Sequence, residues 1–169
     1  MSAPMTPGSP LARTNRFVVP RATVLDPTVA ALRAAGLRRE EAFVVWTGVI
    51  EDGTTVRFTR CVVPEQTPVN TPDGLLVTVG AAALNAVNRD CHAAGELMAG
   101  QVHTHPTVAY HSGTDDHFPL VTLLGALSIV LPDFAAGGTG RIRDWAFYRL
   151  AGRAQWVELT RRDRVEVVP

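Results

Sequence analysis

Cysteine is nearly absent from this chain, with only Cys61 and Cys91 among 169 residues. Both sit inside apolar patterns and read as small buried hydrophobes, which leaves no disulfide framework and no paired-cysteine metal site. Net charge is absent too: 16 basic residues balance 16 acidic ones, so nothing in the composition drives binding to nucleic acid or to a membrane surface. The basic pairs Arg38-Arg39 and Arg161-Arg162 are short, flanked by acids, and read as solvated surface. No apolar stretch is long enough to span a bilayer. An export signal is also missing: residues 1–15 carry Pro4, Pro7, Gly8 and Pro10 without a continuous apolar segment, and read as a flexible leader. The expectation is one domain over residues 16–169 in a reduced, cytoplasmic setting. Gly137-Gly138-Thr139-Gly140 lacks the lysine and the following helix of a phosphate-binding loop and is read as plain loop. No internal repeat is visible.

Apolar periodicity orders the remainder. Arg16–Pro20 predicts a first short strand. Asp26 and Pro27 form an N-cap and first-turn pair for a short helix through Ala30, Leu32 and Ala35, closed by Gly36. Phe43–Ile50 and Thr54–Val63 predict two strands joined by a Glu51-Asp52-Gly53 turn. Residues 64–74 read as a proline-rich connection. A second helix from about Val79 places Leu84, Val87, Cys91 and Ala94 on one stripe, with Gly95 as its C-terminal cap. Leu97–His105 and Leu127–Leu131 predict further strands, and 144–150 with 155–159 a hairpin. Strands grouped in hairpins around two helices argue for an α+β layer fold with a mixed, curved sheet flanked by helices.

The chemistry concentrates in His103-Thr104-His105-Pro106 followed by Ser112-Gly113-Thr114-Asp115-Asp116. Histidines two residues apart on an extended segment point to the same side, because strand side chains alternate. A carboxylate a short loop later is a third ligand of the type zinc accepts, and three protein ligands leave a fourth position for water, the arrangement of a catalytic site. His111 and His117 lie beside this set and are assigned surface or supporting roles, because three ligands suffice. Thr104 should point away from the histidine pair, and His92, on the second helix, reads as exposed.

The pattern His-x-His-Pro, short loop, Ser-x-x-Asp resembles the JAMM (JAB/MPN-plus) zinc metallopeptidases, which include deubiquitinases and their prokaryotic relatives. The resemblance implies a JAB/MPN-like, cytidine-deaminase-like single domain and Zn2+ held by His103, His105 and Asp115. It implies Ser112 as the hydroxyl assisting the tetrahedral intermediate and an upstream glutamate as general base. The loop from His105 to Ser112 is one residue shorter than the usual family spacing, which lets Asp116 compete with Asp115 as ligand.

Among the upstream glutamates, Glu41 fits the family pattern of Glu-Ala, a short apolar strand, then glycine, since it opens Glu41-Ala42-Phe43-Val44-Val45-Trp46-Thr47-Gly48. Glu40 is its register neighbour and faces the other way. Glu51 reads as a turn residue, and Glu65 and Glu96 as solvated. The closest likeness is to compact bacterial members found beside ubiquitin-like proteins and their activating or conjugating enzymes. The implied activity is zinc-dependent cleavage after the C-terminus of a ubiquitin-like protein, either to release it from conjugates or to process a precursor. Processing of a sulfur-carrier protein or a small peptide, and a non-catalytic scaffold of the same fold, are the alternatives.

Overall fold

The computed structural model describes residues 8–113, 119–160 and 164–169. Among these residues ten strands and two α-helices follow in order: β1 Arg16–Pro20, α1 Asp26–Gly36, β2 Phe43–Glu51, β3 Thr55–Val62, β4 Gln66–Thr71, β5 Gly74–Val79, α2 Ala81–Ala94, β6 Leu97–Thr104, β7 Leu127–Leu131, β8 Ala146–Gly152, β9 Gln155–Glu158 and β10 Val165–Val168. Eight strands form one mixed sheet in the order β10-β1-β3-β2-β6-β7-β8-β9, and β4 pairs only with β5. The α+β class with a mixed sheet and few helices agrees with the sequence reading. Among the described residues no helix is long and apolar enough to cross a membrane.

The two helices take opposite faces of the sheet, and β2 shows why. Val44 and Trp46 join the main apolar core with Val29 and Leu32 of α1, whereas Val45 packs with Val87 and Cys91 of α2. Successive strand residues point to opposite faces, so a strand covered on both sides must be apolar throughout, as Phe43–Trp46 is. The Trp46 indole donates to Thr28 Oγ1 at 2.7 Å, and that hydroxyl donates to the Val24 carbonyl at 2.7 Å, which satisfies both polar groups where α1 crosses the sheet.

Several elements depart from the sequence reading. Asp26 is not a cap: it has helical angles (φ −63°, ψ −43°), and its N–H bonds the Arg21 carbonyl at the end of a wide turn over Arg21–Leu25. Residues 64–74 are not a plain connection, because β4 and β5 form a hairpin there and α2 starts only at Ala81. The turn signature Thr71-Pro72-Asp73-Gly74 carries that hairpin, with the Thr71 hydroxyl donating to the Gly74 carbonyl at 2.8 Å. Pro68 is tolerated because, among the described residues, β4 has a neighbour on one side only. The last strand, β10, lies parallel to β1 and was not anticipated. On α2, Ala94 is exposed and leaves the expected stripe, while Gly95 caps the helix at φ 67° as expected.

The leader assigned to residues 1–15 needs correction over its described part. Leu11 is 1% exposed and belongs to the main core. The Arg149 guanidinium donates to the carbonyls of Leu11 and Thr14 at 2.8 and 2.6 Å. A Cβ at Gly125 would collide with the Leu11 carbonyl, so only glycine admits this close approach. One buried leucine without apolar neighbours has no periodicity to announce it. Leu11→Ala should therefore cost about 2–4 kcal/mol, the range for emptying a core leucine site. Urea denaturation checks this, and a midpoint equal to wild type would return residue 11 to a loose leader.

Candidate active site

The histidine pair stands where β6 ends. His103 is the register partner of Phe43 at the head of β2, and β6 also pairs with β7. His105 lies just beyond the strand yet keeps the pairing, its N–H donating to the Leu131 carbonyl at 3.0 Å and its carbonyl accepting from Phe134 at 2.9 Å. Backbone bonds on both sides thus hold two adjacent imidazoles, 1% and 5% exposed, with ring centroids 5.2 Å apart. The Phe43 ring covers His103 at 4.7 Å, and Tyr110 stands edge-on to His105 at 4.5 Å. Thr104 is wholly buried between them in sequence.

A cleft of about 340 Å³ opens beside His105. Glu41, from the entrance of β2, and Ser112, from the loop after β6, line it together with His105. Residues from two separate segments thus meet at one cavity. Asp115 and Asp116, and His117 with them, lie outside the described residues. Among the described residues no group of three His, Cys, Asp or Glu side chains is gathered as a metal cluster. What is gathered, two imidazoles side by side within a short loop of two carboxylates in sequence, suits a borderline ion such as zinc in its donor chemistry.

The competing glutamates do not line the cleft. Glu40 binds the Arg38 guanidinium at 2.9 Å. Glu51 binds Arg57 at 2.7 Å beside the β2–β3 turn. Glu65 is exposed and does not line the cleft. Glu96 is not solvated as expected: its side chain is 10% exposed and accepts from Arg60 at 2.6 Å and from the Thr59 hydroxyl at 2.7 Å. Burial pushes its pKa up, but hydrogen bonds from Arg60, Thr59 and Thr47 outweigh that and hold the carboxyl below its ordinary range. His92 is exposed on α2, as expected.

One wall of the cleft is the β4–β5 hairpin, through Thr71, Asp73 and Leu75–Val77, which the sequence reading missed. The Thr-Pro-Asp-Gly turn could have revealed it, but three prolines in the eleven residues 64–74 read as a breaker. Gln66 links the hairpin to the sheet. Gln66 accepts from the Phe43 N–H at 2.7 Å and donates to the Phe43 carbonyl at 2.8 Å, so its amide imitates a neighbouring strand. Phe43 therefore covers His103 with its ring and anchors the hairpin with its backbone. His111 is tied inward: its N–H donates to the Tyr148 hydroxyl at 3.2 Å, and its Nε2 lies 3.1 Å from Ser128 Oγ.

No family model matches the chain. It is 37% identical over 130 residues to a protein of Sinorhizobium fredii named "Probable metalloprotease y4jG", the match covering 77% of this chain and 79% of that protein. The fold is similar to the solution structure of protein DSY2949 from Desulfitobacterium hafniense, with a TM-score of 0.55 over 90% of this chain and 91% of that one. At 16% identity this second likeness concerns the fold alone.

The Gln66 fastening is open to a direct check. Gln66→Ala removes both bonds to Phe43 and should cost about 1–3 kcal/mol, since a part-buried N–H and carbonyl lose their partners. Limited proteolysis should then cut within residues 66–79 well before the rest of the domain. Unchanged cleavage there would show that other contacts hold the hairpin.

Proposed function

The chain belongs to the family of the probable metalloprotease y4jG, and from that premise we propose that it is a zinc-dependent peptidase of the JAMM type, cleaving after the C-terminal residue of a ubiquitin-like protein. The observation that carries this reading is the convergence of Glu41, His105 and Ser112 on one cleft beside His103. In it, His103, His105 and Asp115 hold the metal, Glu41 is the general base and Ser112 the assisting hydroxyl. Bound zinc would supply a water of near-neutral pKa and polarise the substrate carbonyl. Glu41 takes the proton of the attacking water and returns it to the leaving amine. The Ser112 hydroxyl donates to the carbonyl oxygen as it becomes anionic. The cleft between the loop at Pro106–Tyr110 and the wall formed by Leu75–Val77 is the proposed seat of an extended peptide, which main-chain pairing would hold. The flexible tail of a ubiquitin-like protein has that form, and the proposed setting is cytoplasmic, beside the enzymes that activate and conjugate such proteins.

Metal analysis of two variants identifies the carboxylate. Asp115→Ala should lose zinc and Asp116→Ala should retain it, and the reverse result would give the ligand role to Asp116.

Chemistry is separated from metal binding by Glu41→Gln, which should keep zinc and fold while losing about 10²–10⁴-fold in turnover, because an amide cannot accept the water proton. The assay uses ubiquitin-like proteins of the same genome, fused to a short extension or joined to a lysine, with products read by mass spectrometry. Chelators should abolish cleavage, and cysteine-directed probes should not label the protein. Intact substrates in the presence of bound zinc would favour small-peptide hydrolysis or a scaffold. Activity retained in Glu41→Gln but lost in Glu40→Gln would overturn the choice of base.

A further inference from the structure

Three polar side chains stand in a row across β6, β7 and β8. Gln101 of β6 is the register partner of Ser128 of β7, which is the partner of Tyr148 of β8. Gln101 and Ser128 are both 0% exposed. Burying an amide and a hydroxyl is unfavourable unless each is hydrogen-bonded, so the partners of this row show what it holds. The Gln101 carbonyl oxygen accepts from the backbone N–H groups of Leu120 and Val121 at 2.8 and 3.1 Å. That fixes the amide, whose nitrogen donates to Ser128 Oγ at 3.2 Å. With its oxygen accepting from Gln101, Ser128 can direct its own proton to His111 Nε2, 3.1 Å away. Tyr148 completes the row by accepting the His111 backbone N–H at 3.2 Å.

The row therefore grips one loop at two places, His111 on one side and Leu120-Val121 on the other. The chain between those grips carries Ser112 and Asp115. We propose that Gln101, with Ser128 and Tyr148, is a positioning device that clamps this loop against the strand bearing His103. It rests on the reading of the site given above, in which the loop supplies the assisting hydroxyl and the third ligand. Gln101 and His103 are two residues apart on β6, so the clamp and the histidine share one strand and one face. The strand carrying the two histidines thereby also bonds the described residues on either side of 114–118, at His111 through Ser128 and at Leu120-Val121 directly. Supporting contacts of this kind hold a site's groups in register without touching substrate.

The test uses Gln101→Met, close in length but unable to accept two N–H groups, and Tyr148→Phe, which deletes one hydroxyl at a half-buried position. Hydrogen exchange on the metal-free protein should accelerate about tenfold or more at Leu120 and Val121 in the first variant and at His111 in the second, with β6 and β7 still protected. Chelator competition should show zinc affinity weakened about tenfold or more in Gln101→Met, the usual scale for losing a supporting contact. In the loaded enzyme the loss should fall on kcat and leave KM nearly unchanged. Unchanged exchange at Leu120 and Val121, or acceleration spread evenly over the whole sheet, would overturn the clamp. Loosened amides with unaltered zinc affinity and kcat would reduce the row to a structural role. A wild-type protein that takes up no zinc would sink the metal reading, while the exchange result would still decide the clamp.

Discussion

The antiparallel pairing of β2 with β6, in the register that sets Phe43 opposite His103, is the constraint on which the site depends. It brings the chain entering β2, with Glu41, to the end of the strand that carries the histidines. It also gives Phe43 its double role, its ring over His103 and its peptide groups bonded to Gln66 of the hairpin. A slip of one residue would reverse every side chain between the faces and turn His103 toward α1 and the larger core. That slip is prevented by the apolar side chains on both faces of β2, which bury against α1 through Val44 and Trp46 and against α2 through Val45.

The same sheet shows how a buried polar group can hold a loop. β7 is a five-residue apolar strand, Leu127–Leu131, interrupted by Ser128. By composition alone that serine is a weakness in the core. In the fold it links Gln101 to His111 and so joins the strand to the loop above it. A half-satisfied network in this position would be worse than an apolar one, so these residues act together or not at all.

Much of the fold was legible because it rests on local patterns. β1, β2, β3, α1, β7 and the β8–β9 hairpin were anticipated from alternation, helical spacing and turn residues, since each presents a regular apolar face. The β4–β5 hairpin was missed because its prolines outweighed a turn signature that was present in Thr71-Pro72-Asp73-Gly74. Leu11 was missed because its burial depends on Gly125 and Arg149, more than a hundred residues away. Glu96 looked solvated because its partner Arg60 lies on β3, far away in sequence. At the site, spacing marked the histidine pair and the family resemblance pointed to Glu41 and Ser112, and the cleft lining includes His105, Glu41 and Ser112. The role of Gln101 could not be read, because its partners come from residues 120, 121 and 128.

The sequence by itself determined the donor types and their local geometry: two imidazoles on one side of an extended segment, a hydroxyl and carboxylates a short loop later, and a glutamate at the mouth of an apolar strand. Those follow from strand periodicity and side-chain chemistry, which act over a few residues. Tertiary structure alone decided that Glu41, His105 and Ser112 share a cavity, that a hairpin forms its wall, and that a row of polar residues grips the loop beside it. Each of these depends on strand order and register, which are set by burial of both faces of the sheet, and no local stretch of sequence encodes them.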